Sequence, residues 1–94
     1  MVDLVKSRRE EILSIAQRHG VTSVRVFGSM ARGDARPKSD LDLLVEIGPS
    51  TGPWFPGGLV ADLESVLGRP VQVVTERALD PLLRDRVLRE AVPL

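Results

Sequence analysis

VFGSMARGDARPKSDLDLLVEI, residues 26–47, is the stretch that decides the fold of this 94-residue chain. Its first residues end a predicted strand, 22–27, which is rich in β-branched side chains. Its last residues form a second predicted strand, 41–47, with an apolar face of Leu41, Leu43, Val45 and Ile47. Between the two strands, Ser29 begins a short predicted helix and Gly33 ends it. We therefore expect Asp40 and Asp42, at the start of the second strand, to face the beginning of this helix.

Asp40 and Asp42 lie two positions apart, so strand alternation predicts that both carboxylates project from one face. Their Cα atoms would then be roughly 6.5–7 Å apart, and carboxylates this close repel each other unless a cation lies between them. Mg²⁺ commonly uses one or two carboxylates together with substrate phosphates. The pair is therefore a candidate Mg²⁺-triphosphate site, although alternating acids also occur on ordinary surface strands.

The Gly28-Ser29 turn is a candidate phosphate site. A helix start offers unpaired N–H groups, and Gly28 has no Cβ to block a close approach. Ser29 can cap the helix or donate its hydroxyl to a phosphate oxygen, and Arg32 lies one turn further on. The alternative interpretation is a capped helix with a surface arginine and no bound anion.

The rest of the chain predicts a small α/β domain. The pattern indicates one sheet covered by helices, in the order α-β-α-β-α-β-α. The remaining elements are an N-terminal helix 3–18, a Gly- and Pro-rich loop 48–58, a helix 59–67, a strand 71–75 and a last helix that begins at Pro81 with Asp80 as its cap.

Composition excludes several kinds of site. The chain has no Cys, which rules out Cys-ligated zinc, and only His19 could supply an imidazole, so we expect neither a His-based metal site nor a Ser-His triad. Thirteen basic and thirteen acidic residues cancel, so we do not expect direct nucleic-acid binding through bulk charge. No apolar run approaches the roughly 20 residues of a membrane span, and the N-terminal residues are too charged for a signal peptide. We therefore expect a cytoplasmic protein that does not contact a membrane.

The spacing of Gly28-Ser29, ten residues, then Asp40-x-Asp42 resembles the signature of the DNA polymerase β-type nucleotidyltransferase superfamily. The whole of residues 26–47 resembles the minimal nucleotidyltransferases, the small MNT-domain proteins of bacteria and archaea, and the resemblance covers nearly the whole chain. It implies a single minimal nucleotidyltransferase domain over residues 1–94, with a mixed sheet.

The resemblance also implies residue roles. Asp40 and Asp42 would be the catalytic residues and would hold Mg²⁺, with a two-metal site as one form. Gly28, Ser29 and Arg32 would bind the triphosphate of ATP. Ser39, directly before the first aspartate, would support the site.

One position departs from the family pattern. Active relatives usually bring a third acid from the next strand, and here that position holds Gln72. A Gln carbonyl oxygen can bind a cation, but it is uncharged and cannot act as a general base. Glu46 and Glu76 are the candidate substitutes. Glu46 lies roughly 13 Å along the strand from Asp42, which is too far without a bend.

Three functions remain open from the sequence. MNT proteins commonly act beside HEPN-family ribonuclease toxins, which implies an antitoxin that transfers AMP from Mg-ATP to a hydroxyl, expected on a toxin tyrosine. The first alternative is a weak or inactive module that neutralises the toxin by contact. The second is a small-molecule or RNA nucleotidyltransferase. The sequence leaves open whether the chain forms a homo-oligomer, and whether Trp54 and Phe55 pack on the core or meet a partner.

Overall fold

The structure is a computed structural model, and it describes residues 3–34, 36, 39–49, 51–52 and 55–94. Four strands form one mixed sheet with helices packed against it, which confirms the predicted fold class. The elements are α1 Asp3–Ser7, α2 Arg9–Arg18, β1 Val21–Phe27, α3 Ser29–Arg32, β2 Leu41–Ile47, α4 Gly57–Leu67, β3 Val71–Thr75, a 3-10 turn Glu76–Ala78, α5 Pro81–Glu90 and β4 Val92–Pro93.

The sheet has the strand order β3-β2-β1-β4. β1 and β2 pair antiparallel, which places Phe27 opposite Asp42 at the end of the sheet that carries the predicted site. β3 runs parallel to β2 after the crossover through α4, and Gln72 lies in register with Asp42. β1, β2 and β3 therefore place Gly28, Asp42 and Gln72 at the same end of the sheet.

One face of the sheet carries the main apolar core. Leu41, Leu43 and Val45 of β2 are buried on this face as the sequence predicted, whereas Ile47, the last residue of the predicted apolar face, is exposed. The three buried residues form one cluster with the buried residues of α2 and α4, which follow a helical spacing. The most deeply buried members of this cluster are Val5, Ile12, Val26, Met30, Leu41, Leu43, Leu59 and Leu63. Leu44 points to the opposite face and is also buried.

Three features differ from the sequence prediction. The N-terminal helix is interrupted at Arg8, where the charged gap in the apolar stripe falls and the side chain turns to Glu11 and the carbonyl of Val66. α4 begins at Gly57, inside the predicted loop. β4 was missed because it is only Val92–Pro93, too short for a strand pattern to show.

Several smaller predictions can also be placed. Phe55 packs against the main core, whereas Trp54 lies outside the described residues. His19 follows the end of α2, and its Nε2 lies 2.7 Å from Asp62 Oδ2 on α4. Within the described ranges, none of the helices has the length and apolar character needed to cross a membrane.

Candidate active site

Asp42 lies directly against the backbone of Gly28. The glycine has φ 73° and ψ −158°, a conformation that is essentially restricted to glycine. A Cβ added there would overlap Oδ2 of Asp42 and lie 3.3 Å from its Cγ. A glycine is therefore required at position 28 for two reasons. Its backbone angles exclude other residues, and the carboxylate of Asp42 leaves no room for a Cβ.

The electrostatic environment of Asp42 suits a cation. The carboxyl group is half-buried, and its pKa is raised first by that burial and then by the charges of Asp40 and Glu90, while Arg32 acts in the opposite direction. Asp40 directly precedes β2 and Asp42 is the second residue of the strand, and the two aspartates are close enough for their charges to interact. A divalent ion bound between them would relieve both the burial cost and the repulsion.

The donor set fits a metal that arrives with a substrate. In the described part of the chain, no group of three or more His, Cys, Asp or Glu side chains is arranged to enclose an ion. Mg²⁺ is usually held by one or two carboxylates and completed by phosphate oxygens and water. Asp40 and Asp42 match that pattern, so they are the residues that would hold Mg²⁺ together with a nucleotide.

α3 is a single helical turn held by its own backbone. The carbonyl of Gly28 accepts from the amides of Ala31 and Arg32, and Gly33 closes the turn in the left-handed conformation with φ 82°. This places Ser29 at the first position of the turn, half-exposed, next to the glycine that Asp42 covers. The predicted proximity of Ser29 and Asp42 therefore matches the geometry.

Arg32 is held by two carboxylates. Its Nη1 donates to Oε1 of Glu90 at 2.5 Å, and its Nε donates to Oδ2 of Asp34 at 3.2 Å. Both hydrogen bonds raise the pKa of the guanidinium, which stays charged. The sequence led us to expect an arginine directed at an anion, and the structure shows one already fixed by two acids.

Glu90 is the residue of the site that sequence reasoning missed. It ends α5, and its Oε2 accepts from the backbone N–H of Gly28 at 2.9 Å. Its pKa is lowered, first by the hydrogen bond from Arg32 and also by the bond from Gly28. No local sequence pattern predicts its role, because it lies 62 residues from Gly28, in a helix whose charged residues suggest a solvent-exposed face.

Neither Gln72 nor the two candidate substitutes places a third acid beside Asp42 in the described part of the chain. Gln72 is its register partner on β3 and is exposed. Glu46 is exposed near the far end of β2, and Glu76 is engaged with Arg84 at 2.6 Å. Neither substitute considered from the sequence takes the place of an acid at residue 72.

Ser39 shapes the segment that leads into β2. Its hydroxyl accepts from the N–H of Arg36 at 2.7 Å, and its carbonyl accepts from Nη1 of Arg69 at 3.3 Å. The amide of Leu41 then donates to the carbonyl of Pro70 at 3.0 Å. These bonds fix the backbone on both sides of Asp40 and connect it to the turn before β3.

Comparison with known proteins shows the family to which this chain is related. The model of the nucleotidyltransferase domain family matches residues 9–94. A candidate protein adenylyltransferase of Methanocaldococcus jannaschii is 42% identical over 84 residues, covering 89% of this chain and 90% of that protein. The protein adenylyltransferase MntA of Thermococcus cleftensis is 38% identical over 80 residues, covering 83% of this chain and 79% of that protein.

Solved structures give the same result for the fold. A structure described as a candidate minimal nucleotidyltransferase superposes with a TM-score of 0.84 at 50% identity, covering 99% of this chain and 97% of that one. An MNT antitoxin from a complex with the tri-AMPylated HEPN toxin of Shewanella oneidensis has a TM-score of 0.70 at 18% identity, covering 94% of this chain and 69% of that one; this likeness concerns the fold alone.

The chain belongs to the minimal nucleotidyltransferases of the nucleotidyltransferase domain family. Members of this family generally act on nucleoside triphosphates with a divalent metal.

Proposed function

We propose that this protein transfers AMP from Mg-ATP to a hydroxyl group of a partner protein, and that the acceptor is a tyrosine of a HEPN-family ribonuclease toxin. The observation that carries the proposal is the carboxylate of Asp42 packed against the Gly28-Ser29 turn, with the charge of Asp40 beside it. Two relatives with 42% and 38% identity are described as protein adenylyltransferases, one of them as a candidate, which supports a protein acceptor and the transfer of AMP.

The proposed reaction needs few protein groups. The acceptor hydroxyl oxygen bonds to the α-phosphorus of ATP, the bond from that phosphorus to the bridging oxygen breaks, and pyrophosphate leaves with the electron pair. Mg²⁺ held by Asp40 and Asp42 would neutralise charge on the triphosphate. Gly28, Ser29 and Arg32 bind and orient the phosphates. The hydroxyl proton passes to water, since Gln72 cannot accept it.

The experiment first determines whether the gene next to that of this chain encodes a HEPN-family protein, and then incubates that protein with this chain, Mg²⁺ and ATP labelled at the α-phosphate. We expect label on the partner, a mass increase equal to one or more AMP groups, and no label from γ-labelled ATP. This chain contains no Tyr, so a labelled tyrosine must belong to the partner. Replacing that tyrosine by Phe should abolish the labelling.

A second function has its own observation in favour. The residue beside Asp42 on β3 is Gln72, so a protein that neutralises its toxin by contact is the alternative. In the same experiment this alternative gives a stable complex and an inhibited toxin with no transferred label. That outcome would overturn the transferase proposal but would support the HEPN-family toxin as the partner.

A further inference from the structure

The carboxylate of Glu90 connects α5 to two parts of the site. One oxygen accepts from the Gly28 amide at 2.9 Å, and the other accepts from the Arg32 guanidinium at 2.5 Å. The Glu90 side chain is only 16% exposed, compared with 41% for Arg32. Both of its partners belong to the turn that we expect to meet the phosphates.

The geometry restricts what each partner can do. Gly28 has a backbone conformation that glycine alone adopts without strain. Glu90 holds its N–H from one side while Asp42 packs against its Cα from the other. Arg32 uses two of the five N–H donors of a guanidinium on Glu90 and Asp34, which leaves three for another anion.

We propose that Glu90 is a positioning residue for the nucleotide: it orients Arg32 and fixes the Gly28-Ser29 turn so that both can receive phosphate oxygens. This inference rests on the proposed function, because it assumes that the turn binds a nucleotide. Glu90 acts through its two partners and does not itself touch the nucleotide.

Two other roles for Glu90 predict different results. As a simple anchor of α5, it would affect stability and leave nucleotide affinity unchanged. As an internal anion that occupies the phosphate site, it would compete with ATP, and its removal would tighten binding. The positioning role predicts weaker binding, since Arg32 loses one of its two fixed partners and the Gly28 amide loses its acceptor.

The test measures Mg-ATP dissociation constants by calorimetry and Tm by thermal unfolding for the wild type, Glu90→Gln, Arg32→Gln and the double variant. We expect Glu90→Gln to weaken binding on the order of tenfold, the scale of one charge-assisted hydrogen bond. The effects of the two substitutions should not add, because each removes the same contact. Glu90→Asp keeps the charge but shortens the reach to Gly28 and Arg32, so it keeps the test decisive where Glu90→Gln fails to fold.

Arg84→Gln is the matched control. Arg84 also lies on α5 and forms an ion pair, with Glu76 at 2.6 Å, away from Gly28. Its ion pair is exposed, so it should lower Tm only slightly, and it should leave the Mg-ATP dissociation constant unchanged. If Glu90→Gln binds Mg-ATP with unchanged or higher affinity, the positioning role is overturned. The proposed nucleotide site still stands in that case, provided that the wild type binds Mg-ATP. A wild type that does not bind Mg-ATP overturns the proposed function, and the role of Glu90 with it.

Discussion

Asp42 combines burial with negative charge. Within the described residues its carboxylate forms none of the ion pairs, and its pKa is raised by burial, Asp40 and Glu90. The ionised form is therefore less favourable in the folded protein than in the unfolded chain. A residue that holds a cation when the substrate is bound is a source of instability before the cation arrives.

We expect Asp42→Asn to raise the Tm of the metal-free protein at neutral pH and to weaken Mg-ATP binding at least tenfold. The amide removes a half-buried charge while keeping the shape of the side chain. For a domain of this size, about 1 kcal/mol at Tm corresponds to about 4–8 °C. Differential scanning calorimetry and nucleotide titration measure the two effects.

The raised pKa of Asp42 determines how the stability gained by Asp42→Asn should change with pH. The folded pKa of Asp42 lies above the unfolded one, so the wild type loses stability as the pH rises through that interval. The advantage of Asp42→Asn should therefore be small in acid and grow to a plateau above the pKa of Asp42. Glu46→Gln, at an exposed carboxylate on the same strand, is the control. Equal effects of the two substitutions would contradict the assignment.

At the scale of elements, the parallel register of β2 and β3 determines which residue lies beside Asp42. We expect Gln72→Asp to increase AMP transfer to the cognate partner and to change ATP affinity by only a few-fold. It places a third carboxylate at the register partner of Asp42. A general base typically contributes 10²–10⁴-fold in rate, which gives the upper range of the gain.

Gln72→Asn is the control for this substitution, because it has the size of Asp without its charge. Transfer rates and ATP dissociation constants are compared for the three proteins. If the wild type is active and Gln72→Asp leaves the transfer rate unchanged, an acid elsewhere in the protein acts as the general base. If neither the wild type nor Gln72→Asp transfers AMP, the result favours a protein that neutralises its toxin by contact.

The sequence predicted the parts of this site that depend on neighbouring residues. β-Branched runs marked β1 and β3, alternation placed Asp42 opposite the apolar face of β2, and Asp80 with Pro81 marked the start of α5. What it could not predict depends on distant contacts. Glu90 reaches Gly28 only because α5 folds back onto the sheet end, and Arg32 is engaged only because Glu90 is there.

At the scale of the whole molecule, charge is balanced overall and uneven locally. The formal net charge is zero, so no long-range field draws ATP toward the protein. Among the described residues around this site, however, acids outnumber guanidiniums: Asp34, Asp40, Asp42 and Glu90 against Arg32 and Arg86. A free triphosphate approaching this region meets repulsion, and a metal-bound one does not.

We therefore expect ATP binding to depend strongly on the divalent metal and weakly on ionic strength. Removing Mg²⁺ with EDTA should reduce affinity at least tenfold. Raising monovalent salt about fourfold should change it much less, since screening acts mainly on exposed charges. ATP titrations at fixed pH under the three conditions test this prediction. Equal ATP affinity with and without Mg²⁺ would contradict the expected dependence on the metal.

The bond between Gly28 and Glu90 also has a consequence for the order of folding. It joins residues 62 positions apart, and the pairing of Asp42 with Gln72 spans another crossover. Contacts between distant positions close late, and a growing chain leaves the ribosome with its N-terminal part first. A nascent chain that has not reached residue 90 already carries both aspartates and the glycine turn, but not the carboxylate that holds the turn in place. The site is thus completed only when α5 docks, so we expect the protein to bind its ligand only after that step.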